Sequence, residues 1–478
     1  MYNLRATIIL TFLMAVGSSG FLFTSCKGKS MEGMIIITRT TGKTQDIKSS
    51  TDESRRYTTQ SQIVVINPEK PGYAVKVLTS GYFSAFSPEI SCDAMYMLFS
   101  ARQKETDNCQ IYEMNLSNSK IRQVTFEKDD CTDPAYLPNG RIVYGKSTDN
   151  DILKRCNSLF TCNANGSDIR KITFNPDTYF SSTVLKDGRV LTLSSQIYPD
   201  KQDAMLIVLR PDGTKAELFY KGEKGCSLIN GGRETGDGKI VFIESGNDGQ
   251  KRSDVISINY NRPMHTRVNL TSELKGNLFS VLPLQTGKLL ISYRPSDSDR
   301  YSLYEFDPEK KALGRSIYNN AENDVLEAVL VEKHERAKKL PSEVDMGVKT
   351  GLLLSQDINV FNPQSESNGN PFLKSSRIEV IGIDSTMGTI NVEKDGSFYL
   401  KVMADTPFRI QTIDEKGKVL NGPCGWIWLR PNERRGCVGC HEDPELVPDN
   451  KVPFSVKKAP VSVPVHIDKV VEKKISLE

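Results

Sequence analysis

Between Gln62 and Tyr318 the chain repeats one hydropathy pattern at nearly constant intervals. The copies read QIVVINPEKPGYAVKVL from Gln62, QIYEMNLSNSKIRQVTF from Gln110, SLFTCNANGSDIRKITF from Ser158, MLIVLRPDGTKAELFY from Met205, DVISINYNRPMHTRVNL from Asp254 and SLYEFDPEKKALGRSIY from Ser302. Successive starts lie 48, 48, 47, 49 and 48 residues apart. Each copy is a short alternating strand, a polar turn rich in Asn, Asp or Gly, and a second strand, which predicts a β-hairpin. A second pattern interleaves with it: LPNGRIVYG around Gly140, LKDGRVLTL around Gly188, TGDGKIVFI around Gly238 and QTGKLLISY around Gly287. There the glycine supplies the positive φ of a tight turn before an inward apolar strand.

Two hairpins per repeat make a four-stranded sheet, and a fixed period of this length predicts the blades of a propeller. Six outer hairpins predict six blades over residues 61–335. The hairpin 62–80 lacks an inner pair before it, and the apolar run VLEAVLVEKH (325–334), read as an inner pair, lacks a hairpin after it. Joining the two completes the last blade and removes the edges of an open ring. The repeat resembles the TolB-like, WD40-related propellers, and that likeness implies a scaffold with a central channel.

After a charged linker at 336–350 the period changes. GLLLSQDINVF, SRIEVIGID, GTINVEKDGSFYLKVMA, PFRIQTIDEKGKVL and GWIWLRP are β-rich runs divided by Asp-Gly, Lys-Gly and Pro-containing turns. They predict a small antiparallel β domain over 351–446, followed by a Pro- and Lys-rich extended tail at 447–478 suited to docking a partner. The fold class is therefore all-β.

At the other end, MYNLRATIILTFLMAVGSSGFLFTSCKGKS holds one early charge, an apolar run and small residues before Cys26. This is the layout of an export signal, and Phe23-Thr24-Ser25-Cys26 resembles a bacterial lipobox with Cys26 as the lipidated residue. Residues 1–26 are read as a lipoprotein-type signal peptide and 27–60 as a linker. The expected location is the periplasmic side of a bacterial membrane, lipid-anchored, with the outer membrane preferred. The 62 basic and 59 acidic residues give a net charge of +3, which implies no nucleic-acid partner. Export permits disulfides; among the ten cysteines, Cys156 and Cys162 are the nearest candidate pair in sequence. The acidic run DDCTDP (129–134) is read as a blade connection, with a cation site as the alternative.

RRGCVGCHEDPE (434–445) carries the chemistry. Cys437-Val438-Gly439-Cys440-His441 is the pattern by which two thiols attach a c-type haem and the next imidazole meets its iron. A Cys₃His zinc site including Cys424, and a Cys437–Cys440 disulfide, are the alternatives; a thioredoxin-type dithiol lacks its βαβ context. The reading gives one covalent haem c at Cys437 and Cys440, with His441 as proximal iron ligand. His265, His334, His466, Met387 and Met403 are the candidates for the opposite face, and none has a compelling spacing. An open sixth position is therefore preferred. Trp426, Trp428 and Pro431 could pack on a porphyrin, and Arg430, Arg434 and Arg435 could meet its propionates; ordinary core and a solvated turn are the alternatives.

The run DGSFYLKVMADTPFRIQTIDEKGKVL with GWIWLRPNERRGCVGCHEDPE resembles the middle domain of the hydrazine synthase alpha subunit family. Its most specific parts are Trp426-x-Trp428-x-Arg430-Pro431 and Glu433-Arg434-x-Gly436-Cys437 through Glu442. The preceding propeller is similar to that family's amino-terminal domain. The resemblance implies haem attachment at Cys437 and Cys440 beside His441. With one CxxCH and no tyrosine after Tyr399, a related protein with an activity other than hydrazine synthesis is expected. Two classes follow. One is a monohaem c-type protein in periplasmic electron transfer, or the haem subunit of an oxidoreductase complex with a periplasmic redox partner. The other is a propeller-based binding or scaffold protein with an accessory haem.

Overall fold

A computed structural model describes residues 30–42, 44, 60–70, 75–150, 154–246, 252–359, 375–437 and 450–464. The chain is all-β, with two 3₁₀ turns among the described residues. Six sheets form the blades of a propeller. Blade 2 runs Ser84–Ile90, Tyr96–Arg102, Gln110–Asn115, Ile121–Gln123, and blades 3, 4 and 6 repeat this order from Cys131, Asp177 and Asn277. In blade 5 the innermost strand is split into Cys226–Leu228 and Arg233–Glu234. Each predicted hairpin supplies the two outer strands of its blade, because alternation buries one row of apolar side chains against each neighbouring sheet.

Two features of the repeat escape the sequence pattern. Blade 2 has an inner hairpin like the others, but its turn carries Ala94 where the others carry glycine. The Ala94 amide closes the turn on the Ser91 carbonyl at 2.8 Å, as the Gly140 amide does on Leu137 at 3.0 Å. Both residues take positive φ, 57° and 84°. The second feature is the closing blade. Its innermost strand is Asn323–Leu330, and beside it lies Ile35–Thr41, which in turn pairs with Ser61–Ile66. The two ends of the ring do meet in one blade. However, 325–334 supplies a single inner strand, and its partner comes from the stretch read as a linker at 27–60. Ile36 and Ile37 of that strand are fully buried.

Residues 350–463 contain a sandwich of two four-stranded sheets. One sheet is ordered Arg434–Cys437, Thr350–Ser355, Phe398–Met403, Val461–Val463; the other is ordered Thr386–Asn391, Arg377–Ile381, Arg409–Ile413, Val419–Asn421. The hairpin pairings are antiparallel, while the two edge strands of the first sheet join parallel. Val461–Val463 belongs to the segment read as an extended tail. Its described part is tied to the chain's own β domain: the Ser455 amide donates to Ser397 Oγ at 3.1 Å and the Phe454 amide to Asp395 Oδ2 at 2.8 Å. No helix among the described residues is long and apolar enough to cross a membrane.

Cys156 and Cys162 do not pair. Both lie on the strand Lys154–Asn163, and six residues of extended chain separate them by about 20 Å, whereas a disulfide holds its Cα atoms within about 7 Å.

Candidate functional site

Cys437 is the last residue of the edge strand Arg434–Cys437, in parallel register with Ser355. Its side chain packs on the sandwich core that includes Leu353 and Phe398, and its carbonyl accepts the Gln356 amide at 3.0 Å. Two residues beyond Gln356 the rim of the sandwich is fixed by close packing. The Ile358 amide donates to the Gly396 carbonyl at 2.9 Å. Gly396 stands at φ 79°, and a Cβ there would stand 2.0 Å from the Asp357 carboxylate, so a substitution would strain the backbone and displace Asp357. Lys451 ion-pairs with Asp357 at 3.4 Å. The chain therefore leaves from Cys437 and returns at Lys451 on the same rim. Cys440 and His441 lie outside the described residues, as do Cys26 and His466.

The segment 426–435 fixes where that strand sits. Trp428 is buried and inserts between blades 3 and 4, against Leu137, Ile172, Tyr179 and Leu209. The Trp426 indole N–H donates to the Tyr198 carbonyl at 2.8 Å. Arg430 is buried, ion-pairs with Asp405 at 2.5 Å, donates to the Asp212 carbonyl at 3.0 Å and lies over the Phe174 ring at 4.7 Å. Glu433, wholly buried, gathers four donors: the Lys215 amide at 2.9 Å, the Arg430 amide at 2.8 Å, and Arg435 Nε and Nη2 at 3.0 and 2.7 Å. The Lys215 ammonium also bonds the Arg434 carbonyl.

These contacts favour the core alternative for the tryptophans and give Arg430 and Arg435 protein partners. Trp426, Trp428 and Arg430 dock the β domain on the propeller, and Arg435 neutralises Glu433. Arg434 alone of the three arginines is exposed. The docking residues were visible as a motif, but the partners that give them their role are more than 200 positions earlier in the chain.

The linker follows the same face. The Lys338 amide donates to the Lys186 carbonyl at 2.9 Å, and Asp212 Oδ2 accepts Ser342 Oγ and the Glu343 amide, both at 2.9 Å. Burial alone would raise Asp212, but donors from Thr214, Ser342 and the Glu343 amide hold its carboxyl below the usual range. Burial raises Asp405 against the pull of Arg430.

The remaining candidates fall elsewhere. Met403 pairs with Thr350 at the far end of the strand whose other end meets Ser355, and it is exposed. Met387, second residue of the strand Thr386–Asn391, lies beside the Gly382 turn, whereas Asn391, at the other end, neighbours the Ser375–Asn359 rim. His265 lies on an exposed 3₁₀ turn of blade 5, and the His334 amide is bonded to the Cys92 carbonyl in blade 2. Cys424 accepts the Ile410 amide at 3.3 Å and donates to the Gly425 carbonyl at 3.2 Å. Burial raises its thiol.

A second polar region lines the propeller channel, around a cavity of about 60 Å³. A bulge recurs on the innermost strands, with φ near 51° at Ser87, Asp133 and Ser181. It turns each residue toward the next blade. Glu327 accepts the Ser87 amide at 2.9 Å, Ser87 Oγ donates to Asp133 at 2.7 Å, and Asp133 accepts the Ser181 amide at 2.8 Å. Asp133 of the acidic run therefore ties blades together, and Asp130 accepts the Cys109 amide at 2.7 Å. Among the described residues, Glu223, Cys226 and Glu244 of blade 5 also converge, and Arg267 ion-pairs with both carboxylates.

A propeller carrying a laterally docked β sandwich, with a CxxCH beginning at the sandwich rim, defines a class of two-domain protein that known sequences can be compared with. Residues 328–442 match the hydrazine synthase alpha subunit middle domain. The chain is 22% identical to hydrazine synthase subunit alpha of Kuenenia stuttgartiensis, an alignment covering 77% of this chain and 61% of that protein. It therefore spans under two thirds of that relative's length. The solved structure of Kuenenia stuttgartiensis hydrazine synthase superposes with a TM-score of 0.75 at 19% identity, covering 89% of this chain and 71% of the other. TolB from Acinetobacter baumannii aligns with a TM-score of 0.43 at 14% identity, covering 64% and 68%. These likenesses support a relation to the hydrazine synthase alpha family, with the family's middle domain matched over residues 328–442 and the fold shared over most of the chain.

Proposed function

We propose that this protein is an exported, lipid-anchored monohaem c-type protein, working as the haem subunit of a periplasmic redox complex. One observation carries the reading. Cys437, first residue of the only CxxCH in the sequence, ends a strand locked at the sandwich rim by Glu433 and by its pairing with Thr350–Ser355. The site fits such a group in a second respect: Cys437 lies on an edge strand and is only half-buried, so the group would join at the rim of the sandwich and not inside its core. Cys437 and Cys440 would form the two thioether links, His441 would be the axial ligand, and the haem would supply one-electron chemistry or a site for a small ligand. The lipobox-like Phe23–Cys26 supports attachment at Cys26, and the apolar run before it supports export.

The sixth iron position is taken as open to small ligands, because Met403 stands at the end of its strand away from the Cys437 rim and Met387 is held beside the Gly382 turn. Such a site suits ligand binding or catalysis, whereas two strong protein ligands suit a pure electron carrier. The hydrazine-forming activity named for the Kuenenia protein is not assigned to this chain. Optical spectroscopy of protein made with cytochrome c maturation machinery tests the reading. It predicts a high-spin ferric spectrum and ready carbon monoxide binding after reduction. A low-spin spectrum resistant to carbon monoxide, altered in His466→Ala or Met403→Ala, would favour the electron carrier instead.

A further inference from the structure

The channel cavity lies on the propeller axis, because its lining comes from facing blades. Arg233 of blade 5 reaches across to Glu89 of blade 2, with Nη1 3.2 Å from Oε2. Asp133 of blade 3 stands opposite Ser280 of blade 6, and Ser181 of blade 4 opposite Glu327 of the closing blade. The Glu89–Arg233 pair neutralises itself, whereas Asp133 does not share in it. Asp133 is 9% exposed, and its oxygens accept the Ser87 hydroxyl and the Ser181 amide. No cation pairs with it among the described residues. Ser280 is equally buried, and its hydroxyl makes no hydrogen bond to another described residue.

A buried carboxylate without a counter-charge opposes folding, and so does a buried hydroxyl without a partner. Both costs fall away when a cation bearing N–H donors occupies the space between them. The lining also says what kind of cation fits. Its carboxylates come from separate blades, and the acidic groups that converge on one point among the described residues lie in blade 5, at Glu223 and Glu244. A bare metal ion therefore finds no ready ligand set in the channel. Val281 and Val329 supply apolar surface beside the charges, which suits carbon. A water occupies roughly 10–15 Å³ of such space, so about 60 Å³ holds only a small molecule or the end of a side chain.

We infer that the channel cavity binds a primary alkylammonium group. The Asp133 carboxylate is its counter-ion, the Ser280 hydroxyl a second acceptor, and Val281 and Val329 meet its carbon. The site is independent of the haem reading, since Cys437 belongs to the other domain. Two sources share this chemistry: a free small amine, and a lysine side chain of a partner protein entering the channel.

The test titrates the full-length protein calorimetrically with methylammonium chloride. Ionic strength is held constant with tetramethylammonium, which has no N–H donor. One saturable site per chain is expected. Asp133→Asn should weaken binding about tenfold or more, by loss of a charged hydrogen bond. Ser280→Val should weaken it comparably, because it fills the space and leaves every charge in place. Nα-acetyl-lysine amide is the second probe: binding of both assigns the site to a partner's lysine, and binding of methylammonium alone to a free amine. Absence of saturable binding of either probe would overturn the inference, as would unchanged affinity in both variants. Stoichiometric calcium binding that excludes methylammonium would overturn it too, in favour of a metal site.

Discussion

The backbone amide of Lys215, in the outer turn of blade 4, donates to the Glu433 carboxylate at 2.9 Å, four residues before Cys437. Lys215 stands at φ 53°, and Ser119, Asp168 and Lys311 take similar values of 58°, 54° and 49° in the matching turns of blades 2, 3 and 6. In blade 2 the corresponding Ser119 amide is taken by the Asn115 carbonyl of its own turn. In blade 4 the bond goes to the β domain instead, so a repeated turn becomes an interdomain tie.

Replacing Glu433 with Ala should therefore cost more than one contact. It leaves the Lys215 and Arg430 amides without that acceptor and Arg435 without its counter-ion. Breaking one side of a buried ion pair costs about 3–5 kcal/mol. Denaturant titration should show a loss of that size, and limited proteolysis should cut the 336–349 linker faster than in wild type. Unchanged cutting and stability would contradict the tie.

Trp428→Ala should act at the same junction by a different route. The side chain is 2% exposed within the seam of blades 3 and 4, and deleting a buried Trp costs about 3–5 kcal/mol. Its N–H has no acceptor, so Trp428→Phe should lose much less. The comparison by thermal unfolding separates packing from polarity.

Asp177 predicts a pH dependence. Burial pushes its carboxyl up to about 6, against a hydrogen bond from Ser194 Oγ at 2.9 Å. A folded pKa above the unfolded value near 3.8 means that the unfolded chain loses this proton first as pH rises. The fold is therefore destabilised progressively from about pH 4 to about pH 6, and the full penalty persists above that. At 1.36 kcal/mol per unit this amounts to roughly 2–3 kcal/mol. Asp177→Asn should stabilise the protein at pH 7.5 and lose most of that advantage at pH 4. An advantage independent of pH would contradict the buried charge.

The closing blade makes the fourth prediction. Ile37 pairs with both Val64 and Ala328 and is fully buried. Ile37→Asp places a charge between the two ends of the ring and should open it, with loss of cooperative unfolding by calorimetry. The same change at exposed Val268 in blade 5 should be mild.

What was legible follows from how far each cause reaches along the chain. Alternation and turn chemistry are local, so the six outer hairpins and four of the inner turns were readable from alternation with glycine, Asn and Asp. Ala94 hid the inner hairpin of blade 2, because its backbone adopts the glycine conformation without the glycine signal. Ile35–Thr41 was hidden because a long interval before Ser61 breaks the period, although the register continues across it. Val461–Val463 escaped notice because its pairing with Leu400–Val402 is parallel and distant. The CxxCH was plain, whereas the docking role of Trp428 and Arg430 depends on Tyr179, Leu209 and Asp212, which no local pattern links to them.

The central claim is covalent haem at Cys437 and Cys440. The most direct measurement is a haem stain after denaturing electrophoresis of protein exported alongside cytochrome c maturation machinery, with metal analysis of the same sample. The account predicts a band that stains, about one iron per chain and no signal in Cys437→Ala/Cys440→Ala. Stoichiometric zinc with no porphyrin would contradict it.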